Sequence, residues 1–199
     1  MKSYYYSKVT LIDDCVGRVI DALESKGLLD NTWIVFSSDH GEMLGDHGLM
    51  AKKIFYEGAV NVPCIFRPPG GAPKWQSNGL VCHLDIVSSL IELAGAAPLE
   101  TDGLSLVPLL DGGMDAPGAH THQDHVLSML GVPPNAFVMV RNERYKLSAN
   151  TAYRMPMDLY DLQEDPQELH NLVNDPALRD IQESLLGLLA PVFEEVGTA

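Results

Sequence analysis

An aspartate, a histidine and a lysine stand close together in this sequence, with types and spacing that suit metal-assisted chemistry on an oxyanion. Asp39 and His40 are adjacent and are followed by Gly41, and Lys52 stands twelve residues after His40. A carboxylate beside an imidazole supplies one oxygen and one nitrogen ligand for a divalent cation. A lysine ammonium is a mobile point charge suited to an anionic oxygen of phosphate or sulfate. The stretch therefore predicts a metal and a cation that converge on a tetrahedral oxyanion.

The residues before Asp39 predict the element that positions it. Trp33–Phe36 is a continuous apolar run between polar residues. Such a run predicts a short strand buried on both faces, as in a parallel sheet covered by helices. Asp39 and His40 then follow the carboxyl end of that strand, which is where ligands bind in open α/β sheets.

The first part of the chain has the pattern of an amphipathic helix over Tyr4–Lys26. Its apolar residues recur at steps of three and four, which predicts a stripe buried against the sheet. Gly27 is placed to end the helix in the left-handed conformation. The apolar positions are Val9, Ile12, Val16, Val19, Ile20 and Leu23.

Two further strands and a helix are predicted after the Asp-His-Lys stretch. Pro63–Phe66 is a second apolar run, and Val81–Leu84 predicts a short strand. Asp85 is placed to cap a helix over Ile86–Ala94, which Gly95 ends.

A boundary between two domains is predicted at Asp111–Gly118, where glycine, proline and acidic residues are concentrated. The first domain is residues 1–112 and the second is residues 113–199. Directly after the boundary, His120–His125 contains three histidines at alternate or nearby positions. We expect these side chains to point to water, because alternating positions in a polar loop are usually solvated.

The second domain is predicted to be a small antiparallel sheet with a helix packed on it. Val126–Leu130, Ala136–Val140 and Arg144–Leu147 are the predicted strands. Pro176 can open a final helix running to about Glu195, which Pro191 is expected to kink or end early.

The stretch around Asp39 resembles the second signature block of the sulfatases, which belong to the alkaline phosphatase superfamily. The resemblance rests on Ser-Asp-His-Gly-Glu at 38–42, Gly-Asp-His-Gly at 45–48, Lys52 and Tyr-Glu-Gly at 56–58. It extends to Leu-Tyr-Asp-Leu at 159–162 and covers nearly the whole chain. The fold it implies is α/β, a partial alkaline-phosphatase-like sheet with flanking helices, followed by a small C-terminal antiparallel sheet and helix.

The resemblance also implies a hydrolase of sulfate esters with defined roles for four residues. Asp39 and His40 would bind a divalent metal, and Lys52 would be catalytic and contact the sulfate oxygens. His47 is a further candidate for contacting a small sulfated substrate. Calcium is the usual ion of the family, whereas a histidine ligand favours manganese, magnesium or zinc.

The nucleophile that the family uses is not found in this sequence. It is a formylglycine made from the first residue of a Cys/Ser-x-Pro/Ala-x-Arg motif, and none of Cys15, Cys64 and Cys82 begins one. We therefore expect a C-terminal fragment that binds metal weakly and is inactive alone. Strands missing beside Trp33–Phe36 would expose a sheet edge, which predicts self-association.

Two other functions stay open at this point. The same Asp-His and lysine pattern resembles phosphonate monoester hydrolases of the superfamily, so phosphonate or phosphate esters are alternative substrates. A non-catalytic binding or interaction module is the other alternative.

The overall composition excludes some classes of partner. Thirteen basic against 27 acidic residues give a formal charge of −14, which argues against nucleic acid and anionic membranes as partners. No apolar run long enough for a transmembrane helix is present, and the first residues lack the apolar core of a signal peptide. The compartment is left open. The odd number of cysteines predicts free thiols, which we expect to be buried.

Overall fold

The computed structural model describes residues 2–71, 76–112 and 122–197. The chain divides into two compact units, Met1–Lys74 and Trp75–Ala199. Most of the domain boundary predicted at 111–118 lies outside the described residues, and that boundary stays a prediction. The mixed α/β class that the sequence predicts is confirmed.

The first unit contains one long helix and two short strands. A 3-10 turn at Leu29–Asn31 links the long helix to the first strand, and a second one, Asp46–Gly48, lies in the loop between the strands. In chain order the other elements are helix α1 (Lys2–Ser25), strand β1 (Ile34–Ser37), helix α2 (Glu57–Val60) and strand β2 (Cys64–Arg67).

Strands β1 and β2 form an antiparallel pair, with Ile34 opposite Arg67 and Ser37 opposite Cys64. The predicted strand is therefore present, shifted by one residue, but the prediction of a parallel sheet is wrong. Every residue of β1 is half-buried, so the prediction of burial on both faces is wrong as well. A short apolar run identifies a strand, but it holds no information on the direction of the partner strand. Within the described residues β1 pairs with β2 alone.

Helix α1 covers the predicted range, but its apolar stripe is not buried. None of the residues of α1 is buried, and Val9, Ile12 and Val19 are about half exposed. The periodicity identifies the apolar face, whereas burial requires a covering surface, which the described residues do not provide. Gly27 ends the helix with a φ of 65° as predicted, and its N–H donates to the carbonyl of Glu24 at 2.9 Å.

The first helix of the second unit is α3, His83–Leu93, which includes the last two residues of the predicted strand Val81–Leu84. That strand prediction is wrong because the helix starts three residues before the predicted start. The Asp85 carboxylate accepts from the backbone N–H of Cys82 at 2.8 Å, and the Cys82 side chain accepts from the N–H of Asp85 in return. The pair is a capping box in which a thiol occupies the place of a serine hydroxyl. A short helix α4, Val107–Gly112, follows.

After α4 the second unit forms a four-stranded antiparallel sheet, in which strands that are neighbours in the sheet are also consecutive in the chain. The three predicted strands are present, and the fourth strand is not predicted. Pro156 weakens the strand pattern of that segment, and it is tolerated because β6 is an edge strand with a register shift beside Ala149. The strands are β3 (Val126–Leu130), β4 (Phe137–Arg141), β5 (Tyr145–Asn150) and β6 (Met155–Asp161).

Two C-terminal helices, α5, Arg179–Leu188, and α6, Ala190–Gly197, complete the second unit. The predicted single helix is interrupted at Leu189, and Pro191 lies in the first turn of α6, where its missing N–H is harmless. Together with the sheet these helices bury the main core: Val138, Val140, Leu147, Ala149, Leu159, Leu185, Leu189 and Phe193.

An ion pair joins the start of β5 to the end of β6. The Arg144 guanidinium donates to both carboxylate oxygens of Asp161, at 2.7 to 3.1 Å. These hydrogen bonds hold the pKa of Asp161 below its usual value of 3.8.

The three cysteines are free thiols, as predicted. Cys15 and Cys64 are exposed, so the prediction that they are buried is wrong. Cys82 is half-buried, and burial raises the pKa of its thiol.

Candidate functional site

The structure brings Asp39, His40 and Lys52 together just beyond the end of β1. The Asp39 carboxylate is 84% exposed, and its Oδ2 lies 3.3 Å from Nε2 of His40. Its Oδ1 accepts from the backbone N–H of His40 at 3.0 Å. The Lys52 ammonium contacts the same Nε2 atom of His40. A carboxylate oxygen, a ring nitrogen and an ammonium therefore meet at one point on the surface.

The orientation of the His40 ring is fixed by a backbone carbonyl. Nδ1 of His40 lies 2.7 Å from the carbonyl oxygen of Gly41. A carbonyl oxygen only accepts hydrogen bonds, so the ring donates through Nδ1 and Nε2 is the nitrogen left to accept. Nε2 faces Lys52 and Asp39. The same arrangement, with one ring nitrogen bonded to a carbonyl, is typical of histidines that bind metals through the other nitrogen.

Gly41 allows the site loop to approach the start of α2 closely. Its N–H donates to the carbonyl of Ala59 at 2.8 Å. A Cβ atom on Gly41 would lie 2.1 Å from the carbonyl oxygen of Gly58, which is far inside van der Waals contact. A glycine is therefore required at the residue whose carbonyl orients His40.

Lys52 is positioned through the residue before it. The Ala51 N–H donates to Oε1 of Glu42 at 2.5 Å, and the Ala51 carbonyl accepts from the N–H of Met43 at 3.0 Å. Met43 is only 1% exposed and anchors this loop. Neither Glu42 nor Met43 has a role predicted from the sequence, although Glu42 follows Asp-His-Gly directly. Their function is to hold the lysine segment beside the Asp-His segment.

The structure places His47 against Tyr56. The two rings are stacked, with centroids 3.9 Å apart and an interplanar angle of 5°. His47 is exposed and has a φ of 53°, in a tight turn between Gly45 and Gly48. Among the described residues, His47 makes no hydrogen bond to Asp39, His40 or Lys52.

The donor set fits part of a metal shell. Asp39 and His40 supply one oxygen and one nitrogen, and Nε2 of His40 has the electron pair that a metal ligand needs. In the part of the chain that the structure describes, no three His, Cys, Asp or Glu side chains gather closely enough to hold a metal ion. Since divalent ions bind four or more ligands, these two residues fit two positions of the shell.

The histidine-rich segment 120–125 belongs to a structural cluster in the second unit. His120 lies outside the described residues. The His122 side chain is only 8% exposed, and its Nε2 lies 3.6 Å from the Asp85 carboxylate. The prediction that these histidines point to water is therefore wrong for His122. Its environment is set by Asp85, a distant residue in the sequence.

Asp85 is the centre of that cluster and is fully buried. Besides the Cys82 N–H, its carboxylate accepts from the backbone N–H of Leu104 at 2.8 Å and from the Gln123 amide at 2.6 Å. The carboxylate therefore connects the start of α3, the loop before α4 and the segment before β3. The contacts with Leu104 and Gln123 have no signal in the local sequence, because both residues lie far from Asp85 along the chain.

The mixed α/β fold is shared with sulfatases of the alkaline-phosphatase-like fold. Residues 1–96 match the family model described as Sulfatase. This part of the chain belongs to the sulfatase family. Among the described residues, no helix combines the length and the apolar character that a membrane span requires.

Curated relatives extend the similarity over most of the chain. A choline-sulfatase of Rhizobium meliloti is 35% identical over 86% of this chain and 33% of its own length. An arylsulfatase of Clostridium perfringens is 30% identical over 97% of this chain and 40% of its own length. The chain therefore spans between a third and two fifths of the curated relatives it matches.

Solved structures are also similar over most of this chain and over about two fifths of their own length. BT4656, solved in complex with its substrate D-glucosamine-2-N,6-O-disulfate, has a TM-score of 0.81 and 27% identity over 96% of this chain and 40% of its own. The phosphonate monoester hydrolase of Agrobacterium radiobacter has a TM-score of 0.76 and 29% identity, over 94% of this chain and 40% of its own.

Proposed function

We propose that this chain carries the Asp-His-Lys part of an active site that hydrolyses sulfate esters. The observation that carries this proposal is the convergence of the Asp39 carboxylate, Nε2 of His40 and the Lys52 ammonium. The membership of the sulfatase family supports the choice of sulfate as the group transferred. A small sulfated organic molecule is the proposed class of substrate.

Each residue has a separate role in this proposal. Asp39 and His40 would hold a divalent metal, which supplies Lewis acidity toward the sulfate oxygens when bound. His40 is kept in the required tautomer by the Gly41 carbonyl. Lys52 places a positive charge where negative charge develops on the oxygens, which stabilises the transition state.

The chain is proposed to be inactive on its own. No cysteine or serine of the sequence is followed by the Pro/Ala-x-Arg pattern that formylglycine formation requires in this family. The described residues also supply too few metal ligands for a complete shell. Both missing parts would come from additional polypeptide, as the greater length of the relatives suggests.

His47 is proposed to contact the organic part of the substrate. Its exposed ring is held flat against Tyr56, so its outer face is presented to solvent in a fixed orientation. A rigid aromatic face provides contact area with little loss of conformational entropy. The turn that holds His47 lies in the same loop that links Asp39 to Lys52.

Phosphonate or phosphate esters are the second candidate substrates. The similarity to the phosphonate monoester hydrolase favours them, as does the histidine donor, which suits manganese or zinc better than calcium. Both esters present anionic oxygens on a tetrahedral centre, so Asp39, His40 and Lys52 would have the same roles.

The test compares this chain alone with this chain fused to an N-terminal sulfatase part that carries a Cys-x-Pro-x-Arg formylglycine motif. We expect no hydrolysis of 4-nitrophenyl sulfate by the chain alone and turnover by the fusion with Mn²⁺ or Ca²⁺. Lys52→Ala in the fusion is expected to lower kcat by about 10²-fold or more, as on loss of one oxyanion-stabilising group. Lys53→Ala is the matched control and is expected to change kcat much less.

Four outcomes would contradict the proposal. Turnover by the chain alone would refute the proposal that its nucleophile is missing. Equal losses of kcat in the Lys52→Ala and Lys53→Ala variants would refute the role of Lys52. A fusion that cleaves phenyl phosphonate esters but no sulfate ester would favour the second candidate. If a folded, metal-loaded fusion cleaves neither ester, the remaining function for this chain is that of a non-catalytic binding module.

A further inference from the structure

A cavity of about 430 Å³ opens in the second unit, between helix α3 and the loop that follows it. Its volume lies in the range that is typical of sites for small molecules. The helix contributes Ser88, Ile91 and Glu92 to the wall, and residues between 95 and 105 complete it. None of these residues has a role in the proposed hydrolysis.

The loop that forms the second wall is fastened to α3. The Ser88 hydroxyl donates to the carbonyl of Gly103 at 3.0 Å, and the Ser89 hydroxyl accepts from the N–H of Leu106 at 2.8 Å. A Cβ atom on Gly103 would lie 2.3 Å from the carbonyl oxygen of Leu84, so the close approach of loop and helix requires a glycine. The cavity is therefore formed without a ligand, and binding does not have to order the loop.

The helix side of the cavity offers two hydrogen-bond acceptors. Ser88 and Glu92 are four residues apart and so share one face of α3. The single proton of the Ser88 hydroxyl is donated to Gly103, which leaves its oxygen able only to accept. The Glu92 carboxylate is also acceptor-only, is exposed and has no ion pair or hydrogen bond among the described residues. These two acceptors suit a ligand that carries N–H donors.

The charge of the cavity favours a cation. Glu92 is the only ionisable side chain in its described lining. The sequence contains no lysine or arginine between Lys74 and Arg141. The last turn of α3, beside Glu92, also has no basic residue, so the negative end of the helix dipole adds to the charge of the carboxylate. A sulfate or phosphate group would be repelled here.

The rest of the lining is largely apolar. Ile91, Pro98 and Leu99 contribute hydrocarbon surface, and the Leu99 side chain is 60% exposed. Covering this surface with an alkyl chain would remove apolar area from water, which stabilises a complex.

We propose that the cavity binds a small primary alkylammonium ion. Its N–H groups donate to Ser88 and Glu92, and its alkyl chain packs against Ile91 and Leu99. A quaternary ammonium ion has no N–H group and leaves the Ser88 oxygen without a donor, so the site discriminates against it. A neutral alcohol of the same length lacks the charge that pairs with Glu92.

The test is a titration of the full 199-residue chain with n-hexylammonium at pH 7, followed by the NMR shifts of the Gly95 and Gly103 amides. We expect saturable binding with a Kd of about 1 mM, which is typical of a ligand with so few atoms. Hexan-1-ol and hexyltrimethylammonium have the same alkyl chain and are each expected to bind about tenfold more weakly.

A pair of variants tests the role of Glu92. Glu92→Gln removes the charge and is expected to raise the Kd for n-hexylammonium by about tenfold, as on loss of one charge-assisted hydrogen bond. Glu100→Gln is the matched control, because it removes the same charge from an exposed residue that does not line the cavity. It is expected to raise the Kd by less than about threefold, since an exposed charge is screened.

Three results would overturn the inference. The first is a shift of the Gly95 and Gly103 amides that grows without saturation, and the second is an equal Kd for the Glu92→Gln and Glu100→Gln variants. The third is binding of hexan-1-ol or hexyltrimethylammonium as tightly as n-hexylammonium. The titration contains no metal ion and no ester, so its outcome does not depend on the proposed hydrolysis.

Discussion

Replacing Gly41 with alanine tests whether close backbone packing holds the candidate site. The new Cβ would lie 2.1 Å from the Gly58 carbonyl oxygen, against an ordinary contact of about 3.4 Å, so the backbones must separate by about 1.3 Å. Overpacking of this kind costs about 1–3 kcal/mol, and loss of the Gly41 hydrogen bond to Ala59 costs about 1 kcal/mol more. We expect the free energy of unfolding of the first unit to fall by about 2–4 kcal/mol.

The assay is urea unfolding followed by fluorescence in a Trp75→Phe background, where Trp33 next to β1 is the only tryptophan. Gly17→Ala is the matched control, because a Cβ at Gly17 within α1 meets nothing within 4 Å. It is expected to stabilise the helix by about 0.5–1 kcal/mol. If Gly41→Ala unfolds at the same urea concentration as the parent, the close approach does not hold the loop and the reasoning fails.

Three further predictions concern the second unit and the whole chain. Asp85→Ala removes a fully buried carboxylate and leaves three partly buried donors without their acceptor, and it is expected to cost about 3–5 kcal/mol in urea unfolding, whereas the exposed Asp124→Ala is expected to change little. Because Arg144 lowers the pKa of Asp161, their pair stabilises the fold above about pH 4, and this stability is lost as the pH falls through the lower folded pKa. Arg144→Gln should reduce the loss of stability between about pH 5 and about pH 2. The exposed apolar face of α1 and the edge of β1 predict self-association by light scattering.

Each of these predictions has a result that contradicts it. Equal stability of the Asp85→Ala and Asp124→Ala variants would show that the hydrogen bonds of the buried carboxylate do not stabilise the second unit. An acid transition that is the same with and without Arg144 would assign acid sensitivity to other groups. A monodisperse monomer with a cooperative melt would show that the apolar face of α1 is tolerated in water.

The sequence predicts well what depends on local chemistry. The position of β1, the helix end at Gly27 and the strands β3 to β5 follow from apolar patterns and turn residues within a few positions of each other. The proximity of Asp39, His40 and Lys52 agrees with their spacing along one loop, while their roles stay proposals. Sequence reasoning succeeds here because strand, turn and loop are contiguous.

The features that the sequence does not predict depend on distant partners. The antiparallel direction of β1 depends on its partner strand β2. The exposure of α1 arises because none of the described residues covers its apolar face. The helix start at His83 depends on a thiol acting as a cap, which ordinary capping preferences do not include. The His122 side chain is nearly buried beside Asp85, which is distant in the sequence, whereas local composition alone predicts a solvated histidine.

The two sheets place very different demands on the order in which the chain folds. Residues 142–144 connect β4 to β5, whereas residues 38–63 connect β1 to β2. Closing the longer connection costs about 2 kcal/mol more in chain entropy, since each doubling of loop length adds about 0.6 kcal/mol. Sheets built from neighbouring hairpins have low contact order and form quickly. The long connection contains Asp39, His40, His47 and Lys52, so we expect the residues proposed to do chemistry to be ordered after the C-terminal sheet.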